Sequence, residues 1–386
     1  MKYFADFAWL GGDVVVADVL VEVSGERIVA VRVGAERGDA QHLRGVTLPG
    51  LANAHSHAFQ RALRGRVQRG GGSFWTWRED MYALAERMTP DTCFELARGT
   101  YAEMLRAGIT CVGEFDYLHF SDALIAAADE TGIRLTLLDA CYLAGGFGEE
   151  LGPVQRRFSD GDAARWAERV SGIRGAKVGA AIHSVRAVPA DQIPTVVEFA
   201  RGRPLHFHVS EQRAENRACL TAHGCTPVQL LGALGALGPD STAVHATHLA
   251  AGDDLGETTI CMCPTTERDL ADGIGRAGPR LALGSDSHAV IDLFEEARAV
   301  ELNLRLATER RGHFTAAALL RGATNHGCLG WPDAGRIEAG ALADLVTLDL
   351  ESPRLELAEP DTMVESIVFA ATAADVSSVI VGGRPC

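Results

Sequence analysis

The chain has 386 residues, of which 47% are hydrophobic and 23% are charged, and its formal net charge is −15. This composition is typical of a globular protein, and the length is enough for one large barrel domain with a second small lobe. The acidic balance argues against nucleic acid as a partner, because neutralising phosphates requires a basic patch. No apolar run is long enough to span a membrane.

The first residues, MKYFADFAWLGGDVVVADV, predict a strand and not a secretion signal. The nine cysteines show no zinc-ribbon spacing, and their number is odd. Free cysteines are commonly buried, so we expect reduced thiols in a cytoplasmic protein.

Both ends of the chain have the alternating apolar and polar pattern of antiparallel strands. Residues 13–33 alternate around a turn at Ser24-Gly25, and residues 341–350 and 376–386 repeat the pattern. We expect the two ends to meet in one lobe. The predicted organisation is therefore a small β-sandwich domain from residues 1–47 and 338–386, and a catalytic barrel from residues 48–337.

In the middle of the chain, short apolar runs alternate with amphipathic helical stretches, as in a parallel sheet with crossover helices. Eight candidate strands fit a (β/α)₈ TIM barrel, an α/β fold. An open doubly wound sheet would need a glycine-rich phosphate turn after the first strand, and none is present. The predicted strands are 46–53, 109–115, 133–139, 177–183, 204–209, 241–246, 258–263 and 280–285. The predicted helices include 91–107, 121–131, 162–170, 191–201 and 291–308, and Gly108 is predicted to cap the first of these at its C-terminal end.

The interval between the first strand and the helix at 91 is unusually long. It contains a glycine run, Gly70-Gly71-Gly72, followed by the aromatic residues of SFWTWRE. Loops of this length in compact domains are usually functional or disordered. Residues 59–88 are therefore predicted to cover the mouth of the barrel, with a dimer contact as the alternative.

Side chains of the metal-ligating type lie where four predicted strands end, and that end is the catalytic face of a TIM barrel. They are His55 and His57 after the first strand, His206 and His208 in the fifth, His245 in the sixth and Asp286 in the eighth. Alternation within a strand points both rings of an H-x-H pair to one side. Imidazoles with one carboxylate suit zinc with a position left open for water.

This set of H-x-H, H-x-x-E, His and Asp resembles the amidohydrolase superfamily, and so does IEAGALADLVTLDL near the C-terminus. No lysine ends the fourth strand, where Lys177 stands at the beginning, so the resemblance implies the mononuclear branch. Within it, AHSHAFQRALRG, SFWTWRE, GEFDYLH, AIHSVRAV, HVSEQ and GSDSH resemble the N-formimino-L-glutamate iminohydrolases, or formiminoglutamate deiminases. The resemblance covers nearly the whole chain. It departs at Asp116, where a histidine is expected.

The resemblance implies one zinc ion per subunit, with iron as the other possible metal, and a homodimer. The implied ligands are His55, His57, His208 and Asp286. Glu211 would move a proton from water to the departing nitrogen, and His245 would lie beside the reacting centre, so that Glu211, His245 and Asp286 form the catalytic set. Ser285 and His288 flank Asp286 and are candidates to orient it.

The implied reaction converts N-formimino-L-glutamate to N-formyl-L-glutamate and ammonia, a step of histidine degradation. A dicarboxylate substrate needs cationic partners, and the planar guanidinium of Arg186 matches carboxylate geometry. The candidate substrate-binding residues are Gln60, Arg78, Tyr117, His183 and Arg186. For Arg78, a surface ion pair with Glu79 or Asp80 is the alternative.

Two other hypotheses remain open at this point. One is a deaminase of a purine or pyrimidine ring, such as guanine or cytosine, with the same metal site. It would need groups that stack on and read a base, and no carboxylate clamp. The other is a non-enzymatic protein, either a barrel that only binds metal or an assembly partner in a regulatory complex, against which the complete set of polar residues argues.

Overall fold

The computed structural model describes all residues, 1–386. The fifteen strands are β1 (Lys2–Ala8), β2 (Val16–Ser24), β3 (Arg27–Arg32), β4 (Gln41–Pro49), β5 (Leu51–Ser56), β6 (Ile109–Asp116), β7 (Arg134–Cys141), β8 (Lys177–Ile182), β9 (Leu205–Val209), β10 (Ser241–His245), β11 (Thr259–Met262), β12 (Leu281–Leu283), β13 (Leu345–Leu348), β14 (Val376–Val381) and β15 (Arg384–Pro385). The eleven α-helices are α1 (Phe74–Glu86), α2 (Pro90–Arg106), α3 (Ser121–Thr131), α4 (Ala163–Ser171), α5 (Ile193–Phe199), α6 (Arg213–His223), α7 (Pro227–Ala233), α8 (Pro264–Asp269), α9 (Leu293–Thr308), α10 (Ala316–Ala323) and α11 (Met363–Ala370). Short 3₁₀ helices lie at Ala58–Leu63, Gln155–Phe158, Gly327–Leu329 and Ala373–Asp375.

Strands β5 to β12 form a closed barrel of eight parallel strands, in which β12 pairs with β5 through Leu283 and Asn53. The predicted (β/α)₈ barrel is confirmed. Helices follow seven of these strands, and only the connection from β10 to β11 has none. The strands are buried on both faces, so they appear in the sequence as continuous apolar runs.

The terminal segments form a second sheet in the order β15-β14-β13-β4-β1-β2-β3. This sheet folds back on itself, because Ile28 in β3 donates its N–H to the carbonyl of Ala341 at 2.9 Å. Residues from both ends of the chain, such as Tyr3, Val21 and Leu345, share one apolar cluster inside it. The predicted lobe of terminal strands is present, and its strands form one continuous seven-stranded sheet.

The predicted strand 46–53 was wrong in its bounds, because that segment crosses from one sheet to the other. Val46–Pro49 belong to β4 of the terminal sheet, and β5 begins at Leu51. The intervening Gly50 packs against Thr110, whose Oγ1 would lie 2.2 Å from any Cβ added there. The run is apolar on both sides of Gly50, so hydropathy alone does not show the boundary. The correction places His55 inside β5.

Helix α2 ends as predicted, with Gly108 in the left-handed region at φ 82° directly after its last turn. A Cβ at Gly108 would meet Val346 of β13 at 2.7 Å, so the same glycine lets the terminal sheet approach the base of the barrel. Helix α3 matches the predicted 121–131. None of the helices combines the length and the apolar character needed to cross a lipid bilayer. All nine cysteines are free, and seven are buried.

Candidate active site

A cavity lies at the carboxyl ends of the barrel strands and collects nearly every residue singled out in the sequence. Ten of the predicted site residues line it, namely His57, Gln60, Arg78, Tyr117, His183, Arg186, His208, Glu211, His245 and Asp286. His55 lies in contact with this group and is fully buried. Helix α1, from the long interval 59–88, contributes one wall of the cavity through Phe74, Trp77 and Arg78. The interval is thus partly helical. The glycine run just before α1 is typical of a loop, so the sequence did not predict this helix.

Hydrogen bonds to backbone carbonyls set the orientation of two histidine rings. His57 donates from Nδ1 to the carbonyl of Phe115 at 3.0 Å, and His208 donates from Nδ1 to the carbonyl of His183 at 2.8 Å. The Nε2 atom of each ring therefore carries its lone pair into the centre of the site. Burial lowers the pKa of His57 to about 3 and that of His208 well below its usual value, which keeps both rings neutral.

The nitrogen and oxygen atoms at the centre of the site lie so close together that hydrogen bonds cannot pair all of them. His55 Nε2 lies 3.0 Å from His208 Nε2 and 3.3 Å from Asp286 Oδ1, and the same oxygen is 3.5 Å from His57 Nε2. One hydrogen on His55 serves only one of these acceptors. Burial alone would raise the pKa of Asp286, but its hydrogen bond and charge interaction with His55 hold that pKa well below the usual range.

This donor set fits a metal ion. Lone pairs from neutral imidazoles converge with an ionised carboxylate, as a divalent cation such as zinc requires. The sets His55, His57, Asp286 and His55, His208, His245 each place their ligand atoms within 4.8 Å of one another. Carbonyl partners behind His57 and His208 are the supporting contacts typical of metal-binding histidines.

His245 and Glu211 lie beside the ligand cluster. His245 Nε2 is 3.8 Å from Glu211 Oε1 and 3.9 Å from Asp286 Oδ2. Burial raises the pKa of Glu211 to about 7, which places its proton exchange near neutrality. Glu211 is not the solvated helix-start residue that its position before α6 would allow, since only 6% of it is exposed.

Strained backbone marks the same strand ends. His245 has φ 69° and Asp286 has φ 44°, both in the left-handed region that non-glycine residues seldom adopt. Such conformations cost free energy and persist where the surrounding structure enforces them, commonly at functional sites. The side-chain directions of these two residues are therefore set by the fold.

Arg186 is half-buried in the cavity wall and donates no hydrogen bond within the protein. Its Nε lies 3.6 Å from Glu215 Oε1, and neither atom has a hydrogen-bond partner. Glu215 therefore balances the charge of Arg186 and leaves the donors of the guanidinium free. An arginine held in this way is ready to bind an anionic group.

The other predicted substrate-binding residues line the same cavity as Arg186. Gln60 donates from Nε2 to the hydroxyl of Tyr117 at 3.0 Å, and its Oε1 has no partner. Burial and the charge of Arg186 lower the pKa of His183 well below its usual value. Arg78 makes the predicted ion pair with Glu79 at 3.4 Å, and it also lines the cavity, so the two interpretations are compatible.

A second layer of polar residues holds the ligand-bearing strand ends together. His288 contacts Ser285 Oγ through Nδ1 and Ser56 Oγ through Nε2, both at 3.0 Å. Ser56 donates to Glu114 Oε2 at 2.5 Å, and the other Glu114 oxygen accepts the N–H of Ala58 at 2.7 Å. This series of hydrogen bonds links β5, β6 and the turn after β12. It includes Ser285 and His288, the two residues predicted to orient Asp286, and both are buried.

His206 and Asp116 occupy structural positions. His206 does not line the cavity, and it donates from Nε2 to the carbonyl of Cys328 at 2.9 Å. Asp116 accepts the N–H of Leu118 at 2.8 Å and so closes the turn that carries Tyr117. Burial and the nearby Asp139 raise the pKa of Asp116 to about 7.

Several residues of the site were missed in the sequence. Glu267 contacts His245 Nδ1 at 3.5 Å, and Tyr82 and Tyr142 line the cavity. Glu267 follows the seventh barrel strand, and that position was a usable signal because the other catalytic groups also follow strands. Glu215 is one helical turn after Glu211, which was a second signal. Tyr82 and Tyr142 come from connections whose path the sequence pattern does not define.

Comparison with known proteins gives matches that span the chain. The sequence profile of the amidohydrolase family matches residues 46–386. The formimidoylglutamate deiminase of Pseudomonas aeruginosa is 36% identical over 95% of this chain and 90% of that protein. The crystal structure of an amidohydrolase from Brucella melitensis superposes with a TM-score of 0.90 at 32% identity, covering 100% of this chain and 94% of that one. An adenosine deaminase from Xanthomonas campestris with bound zinc superposes with a TM-score of 0.83 at 25% identity, covering 100% and 92%.

Proposed function

The chain belongs to the amidohydrolase family and is a hydrolase that acts on C–N bonds, and on this premise we propose that it hydrolyses N-formimino-L-glutamate to N-formyl-L-glutamate and ammonia. The observation that carries the proposal is the presence of two arginines, Arg78 and Arg186, in the same cavity as the ligand cluster. A substrate with two carboxylates matches these two cations. The 36% identity to a formimidoylglutamate deiminase supports the same substrate.

We propose zinc as the metal and His55, His57, His208 and Asp286 as its ligands. The bound zinc of the Xanthomonas campestris adenosine deaminase supports this choice, although the ligand types also suit iron. A divalent ion in this position would supply the Lewis acidity that makes water a nucleophile at neutral pH.

Glu211 is proposed as the residue that moves protons. Water adds to the formimino carbon, the bond from that carbon to the terminal nitrogen breaks, and both hydrogens of the water finally reside on the ammonia that leaves. A carboxylate with a pKa raised to about 7 by burial can take and return a proton at neutral pH. His245 faces both Glu211 and Asp286, so it is placed to stabilise the negative charge that develops beside them.

The remaining cavity residues are proposed to hold the substrate. Arg186 would bind one carboxylate through its free donors, and Arg78 would bind the other from helix α1. Gln60, Tyr117 and His183 line the same cavity as the two arginines and the ligand cluster. They would orient the formimino group, and the wall formed by α1 would exclude water from it.

The proposal is tested by following ammonia release from N-formimino-L-glutamate by the purified, zinc-loaded protein. Guanine, cytosine and adenosine serve as parallel substrates. We expect release from the formimino acid alone. Release from a ring amine instead would overturn the substrate and leave the reaction class in place, and release from none of the four would overturn the proposal.

A further inference from the structure

Two tyrosine hydroxyls and one amide form a compact hydrogen-bonded group in the cavity wall. The hydroxyl of Tyr82, on α1, lies 3.1 Å from the hydroxyl of Tyr142, which follows β7. Nε2 of Gln155 donates to Tyr82 at 3.2 Å and to Tyr142 at 2.8 Å. Oε1 of Gln155 accepts the N–H of Gly152 at 2.8 Å, and this contact fixes which end of the amide faces the tyrosines.

The donors and acceptors in this group can be counted. Gln155 uses both of its N–H groups on the tyrosines, so each phenolic oxygen is an acceptor. The two hydroxyls together carry two hydrogens, and one of them lies between the two oxygens. Neither tyrosine has any other acceptor in the protein, so one hydroxyl hydrogen is left without a protein partner.

The free hydrogen belongs to a group that faces the cavity. Tyr82 and Tyr142 line it together with His183 and Arg186, and the ring of Tyr142 stacks edge-on against His183 at 4.5 Å between centroids. Arg186 lines the same cavity, and its guanidinium makes no hydrogen bond within the protein. A donor hydroxyl beside an unoccupied guanidinium suits an anion, because both can bind one carboxylate.

We propose that Tyr82 and Tyr142, together with Arg186, form the subsite for one carboxylate of the substrate, with the free hydroxyl hydrogen as a donor to it. This inference rests on the proposed function. Either tyrosine can supply the free hydrogen, because the hydrogen bond between the two hydroxyls can run in either direction. Gln155 acts as a positioning residue. Its two N–H groups donate to the hydroxyl oxygens, so neither hydroxyl hydrogen can point towards it.

This arrangement has a distinctive consequence for substitutions. Removing one hydroxyl leaves the other with its hydrogen free, so a donor remains. Removing both eliminates the donor. Loss of a hydrogen bond to a charged group lowers kcat/KM by about tenfold or more, so the double variant is expected to fall by that factor and each single variant by less than about threefold.

The experiment measures kcat and KM for Tyr82→Phe, Tyr142→Phe and the double variant. The substrates are N-formimino-L-glutamate and two analogues, each lacking one of the two carboxylates. In the double variant, we expect KM to rise for the complete substrate and for the analogue that keeps the carboxylate bound at this subsite. KM for the analogue that lacks this carboxylate should not change. Tyr3→Phe removes a buried tyrosine hydroxyl in the remote terminal sheet and serves as the matched control.

Equal kinetics of the double variant and the wild type would overturn the inference, and so would an equal loss with all three substrates. If the double variant does not fold, Gln155→Glu tests the same donor, since its carboxylate accepts the free hydrogen. An unchanged KM in that variant would also overturn the inference. Failure of the wild type on N-formimino-L-glutamate is a separate result, which rejects the proposed function itself.

Discussion

Nδ1 of His245 lies 3.5 Å from Oε1 of Glu267, while Nε2 of the same ring faces Glu211 and Asp286. The Glu267 oxygen is itself fixed, because it accepts the N–H of Cys263 at 2.9 Å. Burial alone would lower the pKa of His245, but Glu211, Glu267 and Asp286 together raise it well above the usual value. Glu267 therefore faces Nδ1 of the ring and, together with Glu211 and Asp286, favours the protonated imidazolium.

Replacing Glu267 by Gln should lower kcat by about 10- to 100-fold, the usual cost of losing a supporting contact behind an active-site histidine. The amide keeps the volume and the bond to Cys263, so KM and metal content should change little. Steady-state kinetics and metal analysis check this prediction. Glu296→Gln is the matched control, since Glu296 is also buried near α8 but binds Thr265. A Glu267→Gln enzyme with wild-type kcat would contradict the role.

Replacing Arg186 by Ala should lower kcat/KM for N-formimino-L-glutamate by about 30-fold to several thousandfold, because losing one partner of a hydrogen-bonded charge pair, here the pair with a substrate carboxylate, costs about 2–5 kcal/mol. Arg186→Lys keeps the charge that balances Glu215 but loses the planar fork, so its loss should be smaller and mostly in KM. Metal content should not change in either variant.

Arg98→Ala removes an exposed arginine that pairs with Glu95 and Glu130, and it controls for the general effect of losing a positive charge. Unaltered kcat/KM in Arg186→Ala would remove Arg186 from the substrate site. A fall in kcat/KM that is equal for substrates with and without carboxylates would do the same.

Glu211→Gln should reduce kcat by about 10²–10⁴-fold, the contribution typical of a general acid–base group, and leave bound metal in place. As a base, Glu211 must be ionised. With a pKa raised by burial to about 7, the active form is lost as pH falls through that value, so wild-type kcat/KM should decline on the acid side of neutrality. Kinetics across pH 5 to 9 measure the effect. A wild-type profile that stays flat to pH 5 would contradict the assignment.

The sequence defined the barrel because its strands are buried on both faces and so form distinct apolar runs. It also predicted the residues that converge in the cavity, because His55, His57, His208, His245 and Asp286 all lie at or just after strand ends, where strand alternation and the topology of the barrel determine direction. The sheet boundary at Gly50 was missed because the packing against Thr110 is a tertiary contact. Tyr142 and Gln155 were missed for a related reason: they follow no periodic pattern, and only the folded connections bring them to the cavity.

Removing the metal with a chelator should abolish ammonia release, and adding Zn²⁺ should restore it. The ion binds the folded state, so the chelated protein should also have a lower Tm. His208→Gln should show a reduced metal content by elemental analysis. His206→Gln is a matched control on the same strand, since glutamine can still donate to the carbonyl of Cys328 and His206 faces away from the ligand cluster. Equal loss of metal in both variants would contradict the proposed ligand set.

The carboxylate of Asp375 is a buried junction near the C-terminal end of the chain. It accepts hydrogen bonds from Arg354 Nε at 2.8 Å and from the N–H of Thr372 at 2.8 Å, and it also contacts Ser352 Oγ. Burial alone would raise the pKa of Asp375, but the hydrogen bonds from Arg354 and Ser352 lower it to about 2. The folded-state pKa is thus below the ordinary value of 3.8.

A depressed carboxyl pKa stabilises the folded state above the unfolded pKa, and this contribution is lost as pH falls through the folded value. Asp375→Asn should therefore reduce the free energy of unfolding by about 1–2 kcal/mol at pH 7, allowing for the exposed side of Arg354. The difference from wild type should stay constant down to about pH 5 and shrink below pH 4, as the wild-type carboxylate takes up a proton. Denaturant unfolding at pH 7, 5, 4 and 3 measures it, with the exposed Asp39→Asn as control. A difference that does not change with pH would mean that Asp375 stabilises the fold by packing and not by its charge.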